Sequence, residues 1–414
     1  MMQHLGDITK LNGATIEPVW CVTGGSPCQD LSIAGKRAGL AGARSGLFME
    51  QIRVIKEMRE HDKRLGRAGE LIRPRYMVWE NVPGAFSSNK GRDFADVLEE
   101  IIKIVEPEAP GIEVPEKGWP TWGGYHDEVG GRWSVAWRVH DAQYWGVPQR
   151  RRRIALVADF GGDTAHEILF ERTGVSGDLT PRGEAGERPA GNAEAGASYE
   201  VRIRGGCDGG GKGALIQTEK SGTLGTGNDQ TIFQGAAYGI GNGQANEASI
   251  MAEEVSQTLN TMHDVQAVMC EDVSHALREK AGCAYREDAE TYPVQNMVVR
   301  RLTPLECERL QGFPGGWTDI GDYTDSTGKK RKTSDSERYK ALGNSIALPF
   351  WRWMFGRMAA YLPDGATLGS LFDGIGGFPL CWENIHGTGT AIWASEIEEF
   401  PIAVAKLRFG GAIT

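Results

Sequence analysis

The stretch Leu368-Gly369-Ser370-Leu371-Phe372-Asp373-Gly374-Ile375-Gly376-Gly377 decides the fold. A short apolar run, read as a strand, breaks directly into a turn with glycine at 374, 376 and 377. A second apolar run, Ala391 to Ser395, ends at Glu396, about 20 residues further on. Glycine lets the backbone approach a ligand, and an acid at the next strand end suits ribose hydroxyls. The pair predicts an α/β sheet holding a nucleotide-like cofactor. The turn lacks the G-x-x-x-x-G-K-[ST] pattern, so it gives no support to ATP hydrolysis.

Working outward, residues 1–160 alternate strand and helix. Val19 to Thr23 is an apolar run that stops at Gly24-Gly25. Leu47, Phe48, Ile52, Ile55 and Met58 fall close to helical spacing. Tyr76 to Trp79 reads as a buried strand. Phe94, Val97, Leu98, Ile101, Ile102 and Val105 make an amphipathic helix. Trp133–Val139 and Ile154–Phe160 read as two more strands. From residue 299 the globular pattern resumes. Thr303-Pro304-Leu305-Glu306 is a helix start, with Thr as cap and Glu positioned to bond back. Pro349–Tyr361 reads as a buried aromatic helix and Pro401–Phe409 as a last helix. The expected fold is α/β, with a mostly parallel sheet covered by helices on both faces. Both ends of the chain belong to it.

Residues 161–298 differ. They carry 10 basic and 21 acidic side chains, a net of −11 in a chain whose total is −10. Residues 205–243 are rich in glycine. The pattern Ser221-x-Thr223-Leu224-x-Thr226-x-x-Asp229 returns as Ser256-x-Thr258-Leu259-x-Thr261-x-x-Asp264, read as two β-turn-β units. Residues 177–197 read as a mobile loop. The segment is therefore expected to be an inserted, smaller, β-rich domain. The seven cysteines are widely spaced, with no C-x-x-C pair, which argues against a disulfide scaffold or zinc ribbon and suits a reducing compartment. No apolar run is long enough to span a bilayer, and no secretion signal opens the chain. The net charge of −10, taken alone, argues against a nucleic-acid partner.

Three further motifs carry chemistry. Gly25-Ser26-Pro27-Cys28-Gln29 places a cysteine just past a strand end, on a loop continued by Gly35, Gly39, Gly42 and Gly46, where a thiolate is a plausible nucleophile. Glu80-Asn81-Val82-Pro83-Gly84 places a carboxyl at another strand end. There an apolar wall such as Trp79 would raise its pKa. Gln149-Arg150-Arg151-Arg152-Arg153 opens a strand, so alternation sends Arg151 and Arg153 inward while Arg150 and Arg152 point away.

Together these motifs resemble the cytosine-C5 DNA methyltransferases. Gly6-Asp7-Ile8, Gly343-Asn344-Ser345 and the run Arg301-Leu302-Thr303-Pro304-x-Glu306-Cys307-x-Arg309-Leu310-x-Gly312-Phe313-Pro314 match as well. The resemblance covers nearly all of the chain outside 161–298, where that family carries its variable target-recognition domain. It implies a Rossmann-like S-adenosylmethionine-dependent methyltransferase domain. Residues 1–160 would be its first part and 161–298 the recognition domain. Residues 299–340 would link the two, and 341–414 would be the cofactor-binding part. The motif order departs from the common one: the cofactor turn comes last instead of first, as in a circularly permuted member.

The resemblance implies methyl transfer from S-adenosylmethionine to cytosine C5, leaving S-adenosylhomocysteine. Cys28 would attack C6, Glu80 would donate to N3, Arg153 would contact O2 and Arg151 would support the site. The cofactor would lie along Phe372, Asp373, Gly374 and Gly376. Glu396 would hold its ribose, Ile397 and Ile8 its adenine, and Asp7 would lie near the adenine's amino group. Pro27, Asn344 and Ser345 would line the same pocket, and no metal is called for. The base must leave the duplex, with Gln29 and Ser32 on the flipped nucleotide. Arg202 and Arg204 in the insert would read base edges, and the insert's acids would face away from the duplex. The expected protein is a monomer acting on double-stranded DNA without a membrane, in a prokaryotic cytoplasm or encoded by a phage. A cognate restriction endonuclease would be its functional counterpart. An RNA cytosine methyltransferase is the alternative, against which the large insert argues. A binding remnant without activity is the other.

Overall fold

A computed structural model describes residues 1–26, 46–170, 199–204, 213–218, 230–234, 238–242, 248–253 and 298–410, with backbone alone between 199 and 301. Pro27, Cys28, Gln29, Ser32, the loop 177–197 and both copies of the 35-residue-spaced repeat lie outside the described residues. The placing of the insert's acidic side chains lies outside them too.

The elements in chain order are β1 (Gln3–His4), β2 (Cys21–Gly24), α1 (Gly46–Arg64), β3 (Tyr76–Asn81), α2 (Arg92–Ile102), β4 (Trp122–His126), β5 (Ser134–Asp141), β6 (Arg152–Asp159) and α3 (Ala165–Leu169). The middle of the chain contributes β7 (Tyr199–Arg204), β8 (Gly213–Thr218), β9 (Gln230–Gln234), β10 (Tyr238–Asn242), β11 (Ala248–Glu253) and β12 (Val298–Arg301). The chain closes with α4 (Pro304–Gln311), β13 (Asp322–Thr324), β14 (Lys330–Lys332), α5 (Asp335–Asn344), α6 (Leu348–Met358), β15 (Leu368–Leu371), α7 (Gly377–His386), β16 (Ala391–Ser395) and α8 (Glu399–Arg408).

One eight-stranded sheet forms the frame, in the order β1-β16-β15-β2-β3-β6-β5-β4. The pairs from β1 to β3 are parallel, and those from β3 through β6 and β5 to β4 are antiparallel. Only β6 and β4 therefore run against the rest, and the sheet is mostly parallel as expected. Strands from the two ends of the chain interleave: β15 lies between β16 and β2, with Leu368 opposite Cys21 and Leu371 opposite Gly24. The Met2 amide donates to the Phe409 carbonyl at 3.4 Å. Of these strands, β12-β9-β7-β8 form an antiparallel sheet and β10-β11 a separate pair.

Alternation along β3 explains the two cores. Tyr76 and Val78 face the α6 and α7 side, with Trp351, Phe355 and Trp382. Met77 and Trp79 face the α1 and α2 side, with Phe48, Ile52 and Phe94. The α4 start is a full capping box: the Thr303 amide donates to Glu306 at 2.8 Å and the Glu306 amide to Thr303 Oγ1 at 3.3 Å. Such a cap contributes about 1 kcal/mol. The strand β4 was missed because Gly123 and Gly124 disguise it. Gly123 is required there, since a Cβ would lie 2.4 Å from the Trp137 ring.

The strands β15 and β16 meet the same constraint. A Cβ on Gly369 would lie 2.1 Å from the Trp393 indole, whose Nε1 donates to the Glu17 carbonyl at 2.9 Å. Gly369→Ala should lower stability by about 1–3 kcal/mol. In a Trp393→Leu background the same change should cost clearly less, as read by paired thermal melts.

Candidate active site at the strand ends

The C-terminal edge of the parallel strands gathers the predicted side chains. Glu80, near the end of β3, and Arg153, at the start of the antiparallel β6, face each other, with Arg153 Nε 2.8 Å from Glu80 Oε1. Both lie on the α6 side of the sheet, because Glu80 stands opposite Ala155 and Arg153 opposite His140. The expected Trp79 wall beside Glu80 is corrected here. Successive strand residues point to opposite faces, so Trp79 packs between Phe48 and Phe94, and the partner of Glu80 is a cation.

Trp79 does something else. Its Nε1 donates to Ser26 Oγ at 3.2 Å, while Asn81 Nδ2 donates to the Ser26 carbonyl at 3.0 Å. Gly25 is so close to Glu80 that a Cβ would sit 3.0 Å from its Oε2. The residues leading into Pro27-Cys28 are thus pinned against the Glu80 strand.

Arg151 is 2% exposed. It donates to the carbonyls of Gly343, at 3.1 Å, and of Ser345. Burial, with the Arg153 charge beside it and only partial relief from Glu80, pulls its pKa down to about 9. It ties the start of β6 to the end of α5, where Ser345 is buried and Asn344 exposed. Neither Arg150 nor Arg152 is buried, so the inward and outward halves of the arginine run are as alternation predicts.

The glycine-rich turn follows β15. Phe372 has φ 54°, a left-handed conformation that costs a bulky residue about 1–3 kcal/mol. Gly376, at φ 81°, has no room for a Cβ, which would lie 2.4 Å from the Phe409 ring. Glu396 holds the turn from the next strand. Its Oε2 accepts the Gly374 amide at 2.8 Å, and its Oε1 accepts the amides of Ile397 and Glu398 at 2.7 and 3.0 Å. Ile397 is 71% exposed, an apolar side chain presented at the ligand edge. Ile8 is 3% exposed and sits in the core, so at most its edge can meet a ligand. Asp7 caps a short turn and accepts the Thr9 amide at 3.0 Å, which lowers its pKa. Arg202 and Arg204 lie on β7, described by backbone alone.

Asp373 went unmarked as a charge problem in the sequence, because only the fold buries it. It is 6% exposed, and neither carboxyl oxygen finds a hydrogen-bond partner among the described residues. Burial, with the Glu396 charge adding and the Ser370 hydroxyl opposing, pushes its pKa up to about 8. Gln149, the residue that opens the arginine run, is likewise buried only by the fold. It is fully buried, with both amide atoms unpartnered among the described residues.

A family model for C-5 cytosine-specific DNA methylase matches residues 2–104 and 214–359, more than half of the chain. The chain belongs to that family. A curated relative named DNA N-6-adenine-methyltransferase, from Escherichia phage P1, is 31% identical over 86% of this chain and 55% of its own length. Type II methyltransferase M2.BsuMI of Bacillus subtilis (strain 168) is 24% identical, over 80% of this chain and 58% of its own length. Type II methyltransferase M.SsoII of Shigella sonnei is 26% identical, over 83% and 65%. The chain thus spans between about half and two thirds of these relatives. Among solved structures, the S. pombe Dnmt2 methyltransferase aligns with 86% of this chain and 83% of its own, at 13% identity and a TM-score of 0.39. Among the described residues no helix is long and apolar enough to cross a membrane.

The raised Asp373 pKa has a testable sign. In the unfolded chain the group ionises near its ordinary value of 3.8, and in the folded chain near 8. Its neutral form favours folding below about pH 4, and stability is lost as pH rises towards 8, at up to about 1.4 kcal/mol per pH unit. Asp373→Asn removes this titration. Its melting temperature relative to the parent should therefore rise between pH 5 and 8; a constant offset would mean that the carboxyl ionises normally.

Proposed function

We propose that the protein is a DNA cytosine-5 methyltransferase, using S-adenosylmethionine on a flipped cytosine in duplex DNA through a covalent Cys28 adduct. The observation that carries this reading is the 2.8 Å Glu80–Arg153 pair beside the pinned approach to Cys28. A cytosine placed there would meet a carboxyl for N3 and a guanidinium for O2.

The residues at the glycine-rich turn fit the cofactor. Asp373 offers two unpartnered oxygens to a cationic amino group, Glu396 retains acceptor capacity for ribose hydroxyls, and Ile397 offers an exposed apolar face to adenine. When bound, S-adenosylmethionine supplies the methyl group. The Cys28 thiolate forms a bond to C6 while Glu80 delivers a proton to N3, which turns C5 into an enamine carbon able to take the methyl. Arg153 stabilises O2, preorganised electrostatics of the kind that lower such barriers most. Loss of the C5 proton to a base, departure of the Cys28 sulfur from C6 as thiolate and return of the N3 proton to Glu80 restore the aromatic ring. Residues 161–298 serve as the target-recognition domain, with Arg202 and Arg204 on β7 among its candidate base readers and Gln29 and Ser32 on the flipped nucleotide. Asp7, Ile8, Pro27, Asn344 and Ser345 complete the cofactor pocket. The motif order is that of a circular permutation, supported by β15 and β16 standing between β1 and β2 in the sheet. The working state is a monomer in a bacterial or phage-infected cytoplasm, with a restriction endonuclease as counterpart where the two are encoded together.

The name of the phage P1 relative favours a second reading, methylation of adenine N6. Nucleoside mass spectrometry of duplex DNA incubated with protein and S-adenosylmethionine separates the two. We expect 5-methylcytosine; N6-methyladenine alone would overturn the first reading. Cys28→Ala should reduce transfer at least about a thousandfold while duplex binding survives. DNA bearing 5-fluorocytosine should trap a covalent adduct that resists denaturation, and absence of the adduct with active protein would remove the Cys28 mechanism. Bisulfite sequencing of DNA from an expressing host gives the target context.

A further inference from the structure

We propose that Trp317, clamped by Glu308 and Arg408, is a positioning residue for the cofactor: it fixes the second half of the glycine-rich turn, as Glu396 fixes the first. The inference rests on the reading that S-adenosylmethionine occupies that turn.

The turn needs support from outside. Phe372, Gly374 and Gly376 stand at φ 54°, 59° and 81°, three left-handed residues within five. Backbone of this kind persists only where its surroundings hold it. The first half is held from β16: the Asp373 amide donates to the Ser395 carbonyl at 3.2 Å and the Gly374 amide to Glu396 at 2.8 Å. The second half turns on the peptide between Ile375 and Gly376. Its carbonyl accepts Trp317 Nε1 at 2.8 Å, and its amide donates to the Asp373 carbonyl at 3.2 Å. Rotating that peptide plane would break both bonds. The indole therefore reaches, through one peptide, the main chain of Asp373, whose carboxyl is unpartnered among the described residues. Its ring also meets Phe409 edge-on at 5.9 Å, and Phe409 occupies the space that a side chain on Gly376 would need.

Trp317 is itself held firmly. It lies in the loop after α4 and is 7% exposed. Glu308, fully buried on α4, accepts the Gly316 amide at 2.6 Å, the Thr318 amide at 2.8 Å and the Thr318 hydroxyl at 2.5 Å. Arg408, at the end of α8, donates to the Trp317 carbonyl at 2.9 Å and to the Gly316 carbonyl, and its guanidinium lies 5.4 Å from the centre of the Trp317 ring. One carboxylate thus takes the amides on either side of Trp317 and one guanidinium takes the carbonyls, which leaves the indole a single direction. An indole N–H can only donate, and when buried it needs an acceptor. Other buried indoles find theirs away from this turn: Trp382 donates to Ala366 at 3.0 Å and Trp119 to Gly91 at 2.7 Å.

The test is S-adenosylhomocysteine binding by calorimetry, with methyl-transfer kinetics on duplex DNA beside it. Trp317→Phe keeps a ring in the core and removes the donor, which leaves the Ile375 carbonyl unpaired and should weaken binding about fivefold. The KM for S-adenosylmethionine should rise by about the same factor while kcat at saturating cofactor stays unchanged. Trp382→Phe is the matched control. It loses an equivalent bond in the same core, so it should lower the melting temperature while leaving cofactor affinity as in the parent. Arg408→Met, at a half-buried position that tolerates change more readily, should weaken binding in the same direction as Trp317→Phe. Unchanged affinity in Trp317→Phe overturns the positioning role, as does an equal loss in Trp382→Phe or a fall in kcat alone. If Trp317→Phe does not fold, parental affinity in Arg408→Met overturns it. A parent protein that binds no S-adenosylhomocysteine overturns the cofactor reading itself.

Discussion

The parallel pairing of β15 with β2 is the contact on which the site depends. It joins the two ends of the chain in one sheet, with Leu371 opposite Gly24. Both strands therefore stop at the same level. The glycine-rich turn that follows one and the Gly25-Ser26 approach that follows the other emerge side by side. Parallel strands place their C-terminal ends on one edge, where loops rather than ladder bonds continue the chain and a ligand can enter. Without that pairing the glycine-rich turn and the Gly25-Ser26 approach would belong to separate surfaces.

Three arginine and carboxylate contacts then convert an edge into a chamber. Glu396 grips the Gly374 amide from the neighbouring strand, Arg151 reaches the carbonyls of Gly343 and Ser345, and Arg153 meets Glu80. Each joins elements remote in sequence, and each spends a charged group on geometry. The costs are visible. Arg151 is a buried cation with part of its guanidinium unpartnered, and Asp373 is a buried acid with no hydrogen bond among the described residues. Binding sites routinely hold such imbalances, which a ligand of opposite polarity corrects.

Much of this was legible in the chain. The Thr303–Glu306 capping box, the periodicity of Phe94 to Ile102 and the strand before Asp373 are local patterns, and they appear where their residues predict. Less local features were hidden. The glycines of β4 look like a turn until Trp137 is seen lying across Gly123. The wall of Glu80 looked like Trp79 because the two are adjacent in sequence, yet a strand sends adjacent residues to opposite faces. The net charge of −10 spoke against nucleic acid when taken as one number. Its division along the chain, with the excess in residues 161–298, carries more information than the total.

The order of residues by itself determined which side chains can do chemistry, which elements form and to which family the chain belongs, because motifs and periodicities are short-range. Only the tertiary structure decided that Arg153 pairs with Glu80, that Arg151 is spent on the turn after α5, and that Asp373 is stripped of water. Those facts depend on the order of strands in the sheet and on which face each residue takes. Strand order is a long-range property that no segment of sequence carries alone.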